Sequence, residues 1–304
     1  MGTPDFAVPA LKALYQNEYD IILVVTQPDR PKGRGRKLKP GPVKKTAMDL
    51  GLKISQPITV KDPVFVQYIK ELKPDFIITA AFGQLLPTAI LEIPCLGAVN
   101  IHASLLPQYR GAAPIHWALI NGEKRTGVTT MMMDKGVDTG DILLSRTTKI
   151  IFEDTTAVLH DRLALMGADL MLETLKGLIN KQLTLIPQNH AKATYAPLFK
   201  KKDGRINWDM PALKIYDFIR GMTPWPGAFT FCDEKRFKIY KARPVDKKTL
   251  EPPGTIIRHF PDELLVATAA GCLSILEIQG AAASRLDIKT FLRGCRIDHG
   301  NRFV

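Results

Sequence analysis

Cysteine is scarce in this sequence. It occurs four times in 304 residues, as Cys95, Cys232, Cys272 and Cys295. None forms a CxxC pair and none has a histidine cluster beside it, which excludes a disulfide framework and a structural zinc site. Each is expected as a small buried hydrophobe. No stretch approaches the ~18 uninterrupted apolar residues of a membrane-spanning helix, so no membrane role is expected. The opening residues, Met1 to Asp5, lack the basic start and apolar run of a signal peptide, and a cytoplasmic location is expected. Acidic residues are in deficit: 30 Asp and Glu against 42 Lys and Arg leave a formal charge of +12. Such a surplus concerns partners, with nucleic acid the first candidate and an anionic membrane surface the second.

The apolar content of 45% is that of a protein with a full core, and the length suggests two domains. In the first half, strand-like runs (Ile21 to Thr26, Phe76 to Ala80, Gly97 to His102) alternate with amphipathic stretches such as Pro63 to Leu72. That alternation predicts an α/β domain, a doubly wound, Rossmann-like and mostly parallel sheet. Thr155 to Ile179 is expected as a long helix capped by Asp154 or Thr155, with Leu159, Leu163, Met166 and Leu170 on its buried stripe. Residues 182–202 have weak periodicity and read as a linker. After a helix over Pro211 to Met222, short strands are expected at Arg236 to Arg243, Thr255 to His259, Leu264 to Thr268 and Cys272 to Gln279, forming a small barrel or sandwich. The expected division is residues 1–181, a catalytic domain; 182–202, a linker; and 203–304, a smaller β-barrel.

The most informative stretch is GAVNIHASLLPQYRGAAP, Gly97 to Pro114. Asn100 and His102 are two apart on a strand and share a face; Val99 and Ile101 take the other. Polar residues ending an apolar strand are placed for the crevice where open parallel sheets bind ligands. A lone histidine here would more often be structural, but the loop that follows, Ser104-Leu105-Leu106-Pro107 and then Arg110-Gly111-Ala112-Ala113-Pro114, offers apolar side chains beside backbone amides, as a flat heteroaromatic ligand requires.

Asn100-Ile101-His102 followed by Ser104-Leu105-Leu106-Pro107 resembles the signature of the formyltransferases that use 10-formyltetrahydrofolate. The resemblance implies a third catalytic residue in the Met133 to Asp141 loop, and the family motif aligns it with Asp138, which alone would pass for a turn residue. It implies attack of a neutral amine on the formyl carbon carried by N10 of the folate. Asn100 and His102 would stabilise the resulting oxyanion, and Asp138 would orient His102 and favour its charged form. Ser104, Leu105, Leu106 and Pro107 are implied as folate contacts, and no metal is implied.

Several acceptors are served by this family. The basic run Thr26 to Pro40, TQPDRPKGRGRKLKP, is normally a solvated charge run, yet it resembles the insertion by which methionyl-tRNA formyltransferases hold the acceptor arm of initiator methionyl-tRNA. The resemblance puts the principal contact on Arg34, helped by Arg36, Lys37 and Lys39. Met1 to Pro9 and the regions around Trp225 and Gly300 to Phe303 are also similar to this family. It implies a C-terminal barrel of oligonucleotide-binding type, with Lys235, Arg236, Lys238, Lys241 and Arg243 facing phosphates, and a monomer is expected. Two departures stand out. Leu198 follows Tyr195-Ala196-Pro197 where the family has a lysine, with Lys200 to Lys202 close by. The family also has a buried strand before Gly2-Thr3-Pro4, so the natural chain is expected to begin several residues upstream. The competing readings are a formyltransferase acting on a nucleotide-linked amino sugar, which lacks such a basic run, and an inactive RNA-binding scaffold, which would not need Asn100, His102 and Asp138.

Overall fold

The computed structural model describes residues 1–32, 37–259, 263–281, 283–294, 297 and 300–304. Their contacts divide the chain into two compact units. The first comprises 1–114, 125–149 and 160–197, and the second 115–124, 150–159 and 198–304. No helix among the described residues is long and apolar enough to cross a membrane.

The first half of the chain runs α1 (Val8–Gln16), β1 (Val24–Val25), β2 (Arg30–Lys32), β3 (Lys37–Lys39), α2 (Pro42–Asp49), β4 (Ile54–Ser55), α3 (Pro63–Leu72), β5 (Phe76–Ala80), α4 (Thr88–Leu91) and β6 (Gly97–His102). It continues through α5 (Pro114–Ile120), β7 (Arg125–Met132), β8 (Ile142–Lys149) and α6 (Thr156–Ile179). The start of α3 has a local cause. Asp62 caps α3 by accepting from the Val64 amide (3.0 Å), and Pro63 takes the first-turn position where no amide donor is needed. Parallel pairing joins β1 to β4 and β5 to β6, whereas β6, β7 and β8 pair antiparallel. Strand β7 carries no clear signature in the sequence: the three threonines and three methionines of residues 125–133 mask the alternation of a strand.

Met1 and Gly2 stitch β1 to β5. The Gly2 amide donates to Val25 (3.0 Å) and the Ala80 amide donates to Met1 (3.1 Å). Beside them lies a cavity of about 670 Å³ whose lining includes Leu11, Leu14, Leu23, Ile78, Leu96 and Leu175. The strand expected from Ile21 is formed only at Val24–Val25, because Ile21 to Leu23 border this cavity and have no neighbouring strand among the described residues.

Helix α6 is the expected long helix, and Thr155 Oγ1 accepts from the Val158 amide at its start (3.4 Å). Leu159, Leu163 and Leu170 are buried on it, but Met166 is only half-buried. Gly167 faces the sheet instead. A Cβ there would lie 2.7 Å from Ile101 Cγ2, so the helix approaches β6 where a side chain is missing.

The second unit holds α7 (Ala212–Met222), β9 (Ala228–Cys232), β10 (Lys235–Val245), β11 (Ile256–His259), β12 (Leu264–Ala267), β13 (Cys272–Gln279), β14 (Leu286–Asp287) and α8 (Ile288–Gly294). Its antiparallel sheet has the order β11-β12-β13-β10-β9. The last residues close it: Val304 exchanges backbone bonds with Phe231 of β9, and Asn301 accepts from Ile256 of β11. The expected small barrel is therefore present, closed by its own tail, so that the edge strands do not stay unpaired. Phe237 and Ile239 of β10 point into its core and Trp208 stacks on Phe303. Cys232 and Cys272 are buried as expected, but Cys95 is exposed, its thiol on the Asp75 carboxylate (3.3 Å).

Candidate active site

The site is built on β6. Ile101 packs toward Gly167 of α6, so the alternation of the strand turns Asn100 and His102 to the opposite face. The loop 133–141 crosses that face. It leaves β7 where the Met133 amide donates to Ala98 (2.8 Å), and it reaches as far as His102.

Asp138 Oδ2 lies 3.4 Å from His102 Nδ1 and accepts the Gly111 amide at 2.8 Å. His102 Nε2 lies 2.9 Å from the Tyr109 carbonyl oxygen. Both neighbours of the buried ring are acceptors, so both contacts are satisfied when each nitrogen carries a proton. Asn100 Oδ1 accepts from Thr79 Oγ1 (2.7 Å), which leaves its amide nitrogen as the donor end. Asn100, His102 and Asp138 are thus brought together across 38 residues of sequence.

The next loop is fixed from inside. Ser104 is buried and donates to the Gln108 carbonyl (2.6 Å), and the Leu106 amide donates to Thr129 Oγ1 (3.2 Å). Leu106 is buried too, whereas Leu105 and Pro107 keep part of their surface exposed. The segment expected as a linker braces this loop. Tyr109 and Arg110 amides donate to the hydroxyl and carbonyl of Thr194, and the Ala196 amide donates to Arg110 (2.7 Å). Gly111 sits at φ +117°, and a Cβ there would stand 2.9 Å from the Ala196 carbonyl. Gly111→Ala should destabilise the fold by about 1–3 kcal/mol and displace the amide that holds Asp138. Guanidinium unfolding and the transfer rate check this; an unchanged midpoint and rate would contradict it.

Asp138 itself sits at φ +54°, a left-handed backbone that costs a non-glycine residue about 1–2 kcal/mol. Its neighbours hold the turn: Asp134 Oδ1 accepts the Gly136 amide (2.9 Å) and the Thr139 hydroxyl (2.6 Å). Thr79, Thr194 and the bracing of the 109–113 backbone by Thr194 and Ala196 have no counterpart in the sequence reading. The only signal for them was the unusual Arg110-Gly111 step, which lacked a partner until the fold supplied one.

Residues 30–32 and 37–39 of the basic run pair as antiparallel strands. Arg30 pairs with Lys39, Pro31 with Leu38 and Lys32 with Lys37. Arg34 and Arg36 lie outside the described residues, Lys37 lies on β3, and Lys39 is exposed. At the base, Lys44 and Gln56 hydrogen-bond Asp29 and hold its carboxyl below the usual range. On the barrel, Lys235, Lys241 and Arg243 are exposed, Lys238 is partly so, and the Arg236 guanidinium lies 3.9 Å over the Phe229 ring.

Residues 1–175 match the formyl transferase family and residues 199–296 its C-terminal domain. The methionyl-tRNA formyltransferase of Caldanaerobacter subterraneus is 50% identical over 301 residues, covering 99% of this chain and 97% of that one. Among solved structures, an N-formyltransferase from Helicobacter canadensis in complex with folinic acid and dTDP-3-aminofucose is similar with a TM-score of 0.69 at 19% identity, over 94% of this chain and 97% of that chain. Methionyl-tRNA formyltransferase from Clostridium thermocellum is similar with a TM-score of 0.55 at 22% identity, over 81% and 92%. These two show a shared fold, while the identity of the curated relative, sustained from end to end, makes this chain a member of the formyl transferase family and, within it, of the methionyl-tRNA formyltransferases.

Proposed function

We propose that this protein transfers a formyl group from 10-formyltetrahydrofolate to the amino group of methionine on initiator tRNA. The observation that carries the reading is the meeting of Asn100, His102 and Asp138 on a chain half identical, over nearly its whole length, to a methionyl-tRNA formyltransferase. The residues fit a folate donor. Asn100 offers an amide donor on β6, the loop that follows β6 keeps part-exposed apolar surfaces at Leu105 and Pro107, and Ser104 and Leu106 shape that loop from within. The bound donor supplies an electrophilic formyl carbon on N10.

Around that carbon the chain's own groups divide the work. Asn100 directs its amide N–H at the formyl oxygen as it gains charge, and losing one such donor typically costs ~2.7–4 kcal/mol of barrier. His102 joins it by exchanging the Tyr109 carbonyl for that oxygen at Nε2. Asp138, behind Nδ1, orients the ring and balances its charge. As the bond from the formyl carbon to N10 breaks, the charged His102 gives its Nε2 proton to N10 and is recharged by the proton that the attacking amine sheds, with the Asp138 carboxylate balancing the ring.

The acceptor follows from charge as well as from kinship. Arg34, Arg36, Lys37 and Lys39 of the basic run, with the basic strand β10, are assigned to the phosphates of the acceptor arm. The rival acceptor, a nucleotide-linked amino sugar, is the ligand named for the Helicobacter protein, with which this chain shares the fold. Ionic strength separates the two. Even three of these contacts on phosphates give a log–log salt slope of about −2.7, hence at least about a 40-fold weaker KM for tRNA as salt rises fourfold. A slope near zero would sink tRNA as the acceptor.

A further inference from the structure

Arg110 is one of the most deeply buried charged side chains of the molecule, 2% exposed, and no carboxylate pairs with it among the described residues. Such a cation needs strong acceptors. It finds two. Gln188 Oε1 accepts from both Nε (3.2 Å) and Nη2 (2.6 Å), and His190 Nδ1 lies 3.1 Å from Nη2. The far end of the Gln188 amide is equally committed. Its Nε2 donates to the Asp138 carbonyl (3.0 Å) and to the Gly140 carbonyl (2.7 Å).

The orientation of this amide has one solution. A guanidinium only donates, so it takes the oxygen; backbone carbonyls only accept, so they take the nitrogen. Gln188 is itself buried, 6% exposed. It therefore ties a fixed cation to the backbone of Asp138, the residue held at φ +54° with its carboxylate toward His102. We propose that Gln188 is a positioning residue for formyl transfer: braced by Arg110, its amide holds the 138–140 turn and so the aim of the Asp138 carboxylate at His102. The inference rests on the reading of Asn100, His102 and Asp138 given above.

Gln188→Glu tests it. Glutamate keeps the oxygen that faces Arg110 and gains a charge attraction to it, but sets a carboxylate oxygen against two carbonyls where a donor stood. Transfer from 10-formyltetrahydrofolate to initiator methionyl-tRNA should lose about 10- to 100-fold in kcat, as misplacement of a catalytic group by about an ångström does. Both KM values should stay within about threefold, so that kcat and kcat/KM fall together, and the unfolding midpoint should not fall. In an Asp138→Asn background the same change should cost less than about threefold, because the group it positions is already gone. Gln188→Met, of similar length with neither donor nor acceptor, should show the same coupling and serves if the glutamate variant does not fold.

Wild-type transfer with Gln188→Glu within twofold in kcat overturns this inference alone. So does a loss that is undiminished in the Asp138→Asn background, which would mark a structural role independent of the carboxylate. Failure of the wild type to transfer to methionyl-tRNA overturns the functional reading and this inference with it.

Discussion

Replacing His102 by alanine should lower kcat for formyl transfer by about 10³-fold while folate binding stays within a few-fold of wild type. The expectation follows from where the ring sits. It is buried, with Asp138 on one nitrogen and the Tyr109 carbonyl on the other, on the face of β6 shared with Asn100. Its removal takes away a charge-stabilising donor, worth about 10²–10³-fold, and a proton-holding group, worth about 10²–10⁴-fold. The two roles reside in one side chain, so the losses overlap rather than multiply. It also leaves Asp138 without the partner that its strained backbone serves. Single-turnover transfer with equilibrium binding of 5-formyltetrahydrofolate checks this. A rate within tenfold of wild type would remove His102 from the chemistry; a matching loss of folate affinity would make it a binding residue.

The largest effect on stability is expected in the second unit. Arg220 and Asp217 are 5% and 3% exposed, and the guanidinium donates to Asp217 Oδ1 through Nε (2.8 Å) and Nη2 (2.7 Å). Its remaining nitrogen reaches the Ile151 carbonyl (3.1 Å). Asp217→Ala strands this buried cation, and breaking such a pair typically costs about 3–5 kcal/mol. Asp217→Asn keeps an acceptor in place and should lose less. Denaturant unfolding of the two variants reads the difference; a cost below about 1 kcal/mol for alanine would show that Arg220 finds another partner.

Much of this architecture is legible in the amino-acid order. Period-two and period-3.6 patterns report burial on one face, so the strands at 76–80 and 97–102 and helix α6 can be read from sequence alone. The alternation of Phe237 and Ile239 with Lys238 and Tyr240 does the same for the barrel. What cannot be read there is set by contacts distant in sequence. Met166 loses its place on the buried stripe because Gly167 lets α6 close on Ile101, and that approach has no local signature. Ile21 to Leu23 have strand composition but no neighbouring strand among the described residues. Residues 182–197 look like a connector because their burial follows no period, yet Gln188, Thr194 and Ala196 hold the loop around Arg110.

The site divides in the same way. Asn100 and His102 are visible because two residues on one strand must share a face. Asp138 is hidden among three aspartates in a turn-rich stretch, and only the family motif singles it out before the fold places it 3.4 Å from His102. Ser104 and Leu106 carry the motif, but their buried side chains build the loop, and the exposed part of it falls to Leu105 and Pro107.

The most direct test of the account is a side-by-side assay of the wild-type protein with 10-formyltetrahydrofolate and two acceptors, charged initiator methionyl-tRNA and a dTDP-linked 3-amino sugar. The account predicts rapid appearance of N-formylmethionyl-tRNA, lost in His102→Ala, with no formylated sugar. Formylation of the sugar with methionyl-tRNA left unmodified would contradict it, leaving the donor and the catalytic residues in place but the acceptor wrongly assigned.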